Sequence, residues 1–250
     1  MPVPHRRIKG KLHYTSDKQG QRGVERGRED FTITVHADGR RTIRAYTEID
    51  DAPNVMRDVT LSLDADWRPE DCFVRLSVGD QFVGSSWFRF TDDMAECEGY
   101  TVAEGRISQR YPLKQRLDAF GTHPIQADAW LMGIYDPAKG PGVGLFTNLL
   151  LCSLDHRGAT GPMIVRHPLG VRMQYVGPER ITVKAGTFDA LHYRIIETEE
   201  GDVTNNEPGK HPPYDLWCTP DERICLLAYV TGYMQTRYEL TEYEVFESRP

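Results

Sequence analysis

The chain has 250 residues, of which 39% are hydrophobic, 27% charged and 10% aromatic, with 22 Gly and 16 Pro. These proportions exclude a disordered tail, a collagen-like fibre, a disulfide mini-scaffold and a coiled coil. Thirty Lys and Arg against 37 Asp and Glu leave a formal net charge of −7, which argues against a nucleic-acid partner. No apolar run approaches the roughly 18 residues of a membrane-spanning helix.

The opening MPVPHRRIKG is basic and lacks an apolar signal region, so the expectation is a cytoplasmic chain. From residue 8 to about 112 the dominant period is two, that of strands with one face on a core. Phe31, Ile33 and Val35 alternate with Thr32, Thr34 and His36; after Asp38-Gly39, Ile43, Ala45, Thr47 and Ile49 alternate with polar residues. Asp-Gly supplies the positive φ of a tight turn, so this is a hairpin. The pattern repeats at Val59–Ala65, Val74–Val78 and Val83–Phe90, which predicts a β-meander.

Residues 113–170 lose the alternation and gain Pro and Gly. Two short helices are predicted there, at Gln126–Tyr135 and Val143–Leu151, both too short to stand alone and bound to dock on the sheet. Strands resume at Val171–Val176, Arg180–Lys184, Leu191–Glu197, Tyr214–Cys218, Ile224–Val230 and Met234–Glu247. In the last, Tyr238 and Leu240 share one phase while Tyr243 and Val245 take the other, predicting a bulge near Thr241-Glu242. The segment 199–213 reads as an exposed loop. Five cysteines without a CxxC pair fit reduced, buried thiols better than a disulfide frame or zinc site.

A dozen or more antiparallel strands must curl. The predicted fold is therefore mainly β, a single domain over 1–250: a strongly curved antiparallel sheet or barrel, with an irregular and helical insert at about 113–170 covering its concave side. A two-sheet sandwich is the alternative.

The stretch ITVKAGTFDALHYRI (181–195), followed by PYDLWCTPDERICLLAYVTG (213–232), resembles a bacterial family of unknown function with an AGTF-type turn, a Trp-containing strand and an acidic turn. That family is similar to the lipoprotein-carrier barrels, and the match spans mainly 175–245. The resemblance implies a carrier- or lipocalin-like half-barrel and a role in binding hydrophobic ligands or lipid. It implies no catalytic residues.

Polar chemistry is densest at Ser153-Leu154-Asp155-His156-Arg157-Gly158, in a loop, where functional groups concentrate. His156 is the candidate general acid or base, oriented by Asp155, with Arg157 holding a carboxylate or oxyanion. The competing reading is a loop stapled by an Asp–Arg ion pair. His123, flanked by Asp118 and Asp128 at a spacing of five, does not fit a helical metal site; it is a second acid/base candidate if it converges with His156. Glu96 and Glu98 share a sheet face, and Trp87, Glu98, Tyr100, Trp130 and Trp217 are the candidate ligand-binding residues. Gly140–Gly144 lacks the Lys-Ser/Thr of a P-loop, so no nucleotide or other cofactor is expected, and no metal.

Two functions follow. One is a cofactor-free enzyme of lyase, isomerase or hydrolase type, using acid/base chemistry on a small apolar or aromatic compound in the barrel. The other is a non-catalytic carrier of hydrophobic ligands. Either reading allows a homodimer.

Overall fold

The protein is represented by a computed structural model that describes residues 5–155, 157–166, 170–196, 214–231 and 234–247. Eight strands follow one another in the first half: β1 (Arg6–Ser16), β2 (Glu25–Val35), β3 (Arg41–Ile49), β4 (Val55–Leu63), β5 (Pro69–Val78), β6 (Gln81–Phe90), β7 (Met94–Thr101) and β8 (Gly105–Pro112). Each pairs antiparallel with the next, which is the predicted meander. Inside the insert come β9 (Ala119–Gly121), α1 (Ile125–Met132), β10 (Gly142–Phe146) and β11 (Leu149–Leu151). The last strands are β12 (Val171–Val183), β13 (Gly186–Ile196), β14 (Tyr214–Cys218), β15 (Cys225–Val230) and β16 (Thr236–Glu247).

One sheet of fourteen strands results, in the order β10-β12-β13-β14-β15-β16-β1-β2-β3-β4-β5-β6-β7-β8. The two halves of the chain join where β16 pairs with β1. There Lys11 faces Glu242 and Leu12 faces Leu240, so Thr241 is the extra residue of the predicted bulge. Among the described residues the edge strands β8 and β10 do not pair with each other, so the sheet curls without closing its ladder.

Alternation places one side of every long strand in a common core. Ile8 and Leu12, Phe31 and Ile33, Ile43 and Ala45, Val59 and Leu61, Val74, and Phe88 are buried together with Phe120, Trp130, Met132 and Leu150 of the insert. The insert is thus the filling of the concave face. Its segment 161–165 lies across β6 and β8: Ser86 Oγ donates to the Pro162 carbonyl at 2.6 Å, and the Gln109 amide both accepts from Ile164 N–H (2.7 Å) and donates to the Ile164 carbonyl (3.2 Å). All five thiols are free and buried.

The helix predicted at Gln126–Tyr135 is α1. The helix predicted at Val143–Leu151 is not formed: Val143 and Leu145 stand exposed on edge strand β10, and Leu149–Leu151 pairs in parallel with β9. Gly142 and Gly144 weaken a helix, and an edge strand with its apolar residues on the solvent side hides its period of two. The strands expected at Val171–Val176 and Arg180–Lys184 are one element, interrupted by a register shift between Tyr175 and Gly177.

Tight packing explains one glycine. A Cβ at Gly10 would overlap the Phe31 ring on the neighbouring strand. Gly10→Ala is expected to lower the free energy of unfolding by about 1–3 kcal/mol, measured as a shift in urea midpoint at unchanged m-value.

Candidate functional site

Three polar side chains occupy the inward phase of the first strands: Tyr14 on β1, Glu29 on β2 and Arg57 on β4, all buried. Glu29 reaches the start of α1. Its Oε2 accepts the Ile125 N–H and the Tyr14 hydroxyl, each at 2.7 Å, and its Oε1 accepts the Gln126 N–H at 3.0 Å. Pro124 at the helix entry has no capping side chain, so a carboxylate from another strand satisfies two of the orphan helix donors. Gln126 then ties α1 to the β14–β15 turn, donating to the Arg223 carbonyl and accepting from Cys225 N–H, both at 2.9 Å.

Asp128 accepts the Tyr214 hydroxyl at 3.3 Å. Burial pushes the Glu29 carboxyl up to about 7, against the hydrogen bonds from Tyr14, Gln126 and Ile125 that favour its charge. Burial, reinforced by the charge of Glu29, pushes Asp128 up to about 7 as well. Two carboxyls poised near neutrality can exchange a proton at physiological pH.

The loop after β11 lies over this cluster, anchored by Arg57, whose Nη2 donates to the carbonyls of Arg157 (2.7 Å) and Gly158 (2.6 Å). His156 lies outside the described residues. Asp155 accepts from the backbone N–H of Arg157 (2.8 Å) and Ala159 (3.3 Å). Arg157 points to the β3–β4 turn, donating to the carbonyls of Asp51 (2.8 Å) and Pro53 (2.7 Å). The loop is therefore stapled, through backbone groups and not through an Asp155–Arg157 ion pair. His123, at φ 77°, converges on it: a Cβ at Gly158 would stand 2.8 Å from His123 Cδ2. Asp118 pairs instead with Arg68 at 2.7 Å.

The proposed ligand-binding residues divide. Trp87, 43% exposed, and Tyr100, 52% exposed, lie on the outer face of β6 and β7, away from the concave side. Glu98 is there too, accepting from Ser108 Oγ at 2.6 Å, and Glu96 pairs with Arg110 at 2.9 Å. The placement follows from strand phase, since Phe88, Phe90, Ala95 and Cys97 take the inward positions. Trp217 is also outward, stacked on His192 with ring centroids 4.1 Å apart and donating to Glu179 at 3.0 Å. His192 is clamped by Glu179 (2.8 Å) and Asp215 (2.6 Å).

Trp130 alone of the five is inside. It stands edge-on to Trp67, centroids 6.0 Å apart, and donates from Nε1 to the Glu222 carbonyl at 3.2 Å. Here the β4–β5 turn, the C-terminal end of α1 and the β14–β15 turn border a half-open pocket of about 230 Å³, lined by Trp67, Trp130, Ile134 and Phe146 and edged by Asp66, Arg68, Asp118 and Arg223. Trp67 adopts φ 66°, unusual for a bulky residue and common where a turn re-aims a side chain.

No family model and no curated protein matches this chain. Among the described residues no helix is long and apolar enough to cross a membrane. A solved structure is similar over 98% of both chains, with 14% identity and a TM-score of 0.52: a beta-barrel-like protein of domain of unknown function DUF1849 from Brucella abortus. At that identity the likeness shows the fold, a curved, beta-barrel-like antiparallel sheet with one short helix within it.

Proposed function

We propose that the protein binds a small apolar or aromatic molecule in the pocket at the end of α1, as a carrier or sensor and not as a catalyst. The observation that carries this reading is the set of walls: two indoles, a phenyl ring and an isoleucine around an open space. Small-molecule sites combine aromatic and apolar walls with polar groups that fix orientation, and here four charged residues stand at the edge. The volume selects compounds well below drug size, since drug-sized sites run from roughly 300 to 1,000 Å³.

The test is a titration of tryptophan fluorescence with small aromatic and short aliphatic probes, phenylacetamide among them. A saturable change is expected, and Ile134→Trp, which fills the pocket, is expected to abolish it while leaving the fold intact. Binding that survives Ile134→Trp unchanged, or no saturable binding at all, overturns the reading.

A second reading, cofactor-free acid/base catalysis, is favoured by Glu29 and Asp128 both standing near pH 7. In that case Asp128, with Tyr214 beside it, is the proton-transfer group. Any turnover found with small isomerisable or hydrolysable compounds should then be lost in Asp128→Asn, and its retention there excludes the role.

A further inference from the structure

We propose that this pocket is a carboxylate site, that its ligand is a small monocarboxylic acid with an apolar or aromatic body, and that Arg223 holds the carboxylate. The inference rests on the pocket reading above and adds the charge of the ligand and the residue that recognises it.

Arg223 is set in place from several sides. It sits in the β14–β15 turn at φ 52°, next to Ile224, whose N–H donates to Thr219 Oγ1 at 3.0 Å. Its own carbonyl is taken by Gln126 of α1. Its guanidinium lies against Gly133, where a Cβ would overlap it, and 4.0 Å over the Trp67 ring. Arg41 stands 3.9 Å over the same ring. Two guanidinium groups cannot share one face at that height, so Trp67 is held between them.

The hydrogen bonding of these cations is unequal. Glu222 accepts from Arg6 at 2.5 Å and from Arg41 at 2.7 Å, and Arg68 is paired with Asp118 at 2.7 Å. Among the described residues nothing accepts a hydrogen bond from the Arg223 side chain, and the neighbouring Glu222 carboxylate is taken by Arg6 and Arg41. Stacking engages the face of a guanidinium and leaves its five N–H donors on the rim. Nor is Arg223 needed as a helix cap, because the carbonyls of Trp130, Leu131 and Met132 already accept from the N–H groups of Gly133, Ile134 and Tyr135. Burial pulls Arg223 below the ordinary guanidinium range, in keeping with a cation whose compensation is incomplete.

A guanidinium that lines the pocket with no acceptor of its own matches a carboxylate, which it can bind through two parallel bonds. Asp66 and Asp118 at the pocket edge disfavour a doubly charged phosphate, so a monoanion is the better complement. Trp130, Ile134 and Phe146 then take the apolar body of the acid, since both faces of Trp67 are covered by arginines.

The experiment compares phenylacetate with its neutral isostere phenylacetamide by tryptophan fluorescence at pH 7, in the wild type, R223Q and R223K. A hydrogen-bonded charge pair predicts that the wild type prefers the acid by about tenfold or more. R223Q should lose that preference and keep the amide affinity; R223K, which keeps the charge but not the fork, should fall between, and it takes the place of R223Q if that variant does not fold. Equal affinity for acid and amide in the wild type overturns the carboxylate inference and leaves the apolar pocket standing. An acid preference that persists in both variants overturns the role of Arg223. Binding of neither compound overturns the pocket reading itself and the inference with it.

Discussion

Urea titrations at pH 5 and pH 8 are expected to give the higher midpoint at pH 5. Glu29 and Asp128 have folded-state pKa values of about 7, above the ordinary carboxyl range of an unfolded chain. Between that range and pH 7 the folded protein therefore binds more protons than the unfolded one, and stability falls as pH rises through this window. For fully buried Glu29 the cost of ionisation is on the order of 3 kcal/mol at pH 8. Asp128 adds less than its shift suggests, because part of its surface remains accessible and its ionisation is coupled to that of Glu29.

At the acid end the sign reverses. Asp51, whose carboxyl is lowered by its hydrogen bond from Arg26, contributes stability that is lost as pH falls below the ordinary carboxyl range. Asp215 behaves likewise: burial raises it, but the hydrogen bonds from His192 and Arg194 outweigh that and lower it. The optimum should thus lie near pH 5. Asp128→Asn keeps an acceptor for Tyr214 and removes one of the two titrating groups, so its stability should fall less between pH 5 and pH 8. A midpoint that is flat or rises over that interval would show that neither carboxyl is held protonated by the fold.

The distribution of these groups shows what a sequence of this kind discloses. Alternation in β1 to β7 is legible because each strand buries one face, and the same arithmetic assigns Trp87 and Tyr100 to the outer side once Phe88 and Phe90 are taken as inward. An aromatic residue is not a pointer to a cavity; its phase is. The most informative signal was in the same strands: Glu29 shares the phase of Phe31 and Ile33, and Arg57 that of Val55, Val59 and Leu61. A charged side chain in the apolar phase of a long strand must find a buried partner, and both find theirs in the insert.

That partner could not be read from the sequence. Ile125 and Gln126 meet Glu29 across nearly a hundred positions, and α1 is buried on nearly every side, Gln126 included, so its sequence leaves no apolar stripe to orient it. The pocket was hidden for a similar reason. Trp67 and Arg223 lie in two turns, where no periodicity exists, and come together because both turns close over the same end of α1. The motif WCTPDERICL was visible as an acidic turn after a Trp-containing strand, but its outward Trp217 and inward Arg223 have exchanged the roles that composition alone suggests.

Replacing Arg57 by Met is expected to destabilise the protein by about 3–5 kcal/mol, the range for removing one partner of a buried charged network. Arg57 is 2% exposed and its Nη2 donates to two carbonyls about a hundred residues away. Removing it leaves those carbonyls without their donor and deprives Glu29 of a nearby positive charge. The two consequences separate experimentally. Loss of the anchor should expose the loop, so that limited trypsin digestion cuts the variant after Arg157 while the wild type resists. Loss of the charge should raise the Glu29 pKa further and steepen the fall in stability from pH 5 to pH 8. Gly158→Ala provides an independent check, because the added Cβ would overlap the Arg57 guanidinium and Gly158 itself holds φ 61°: it should release the same loop while leaving the arginine in the chain. An Arg57→Met protein as stable as the wild type and equally resistant at Arg157 would mean that the loop is held by Asp155 and Arg157 alone, and that the inward arginine contributes nothing to the shape of the concave face.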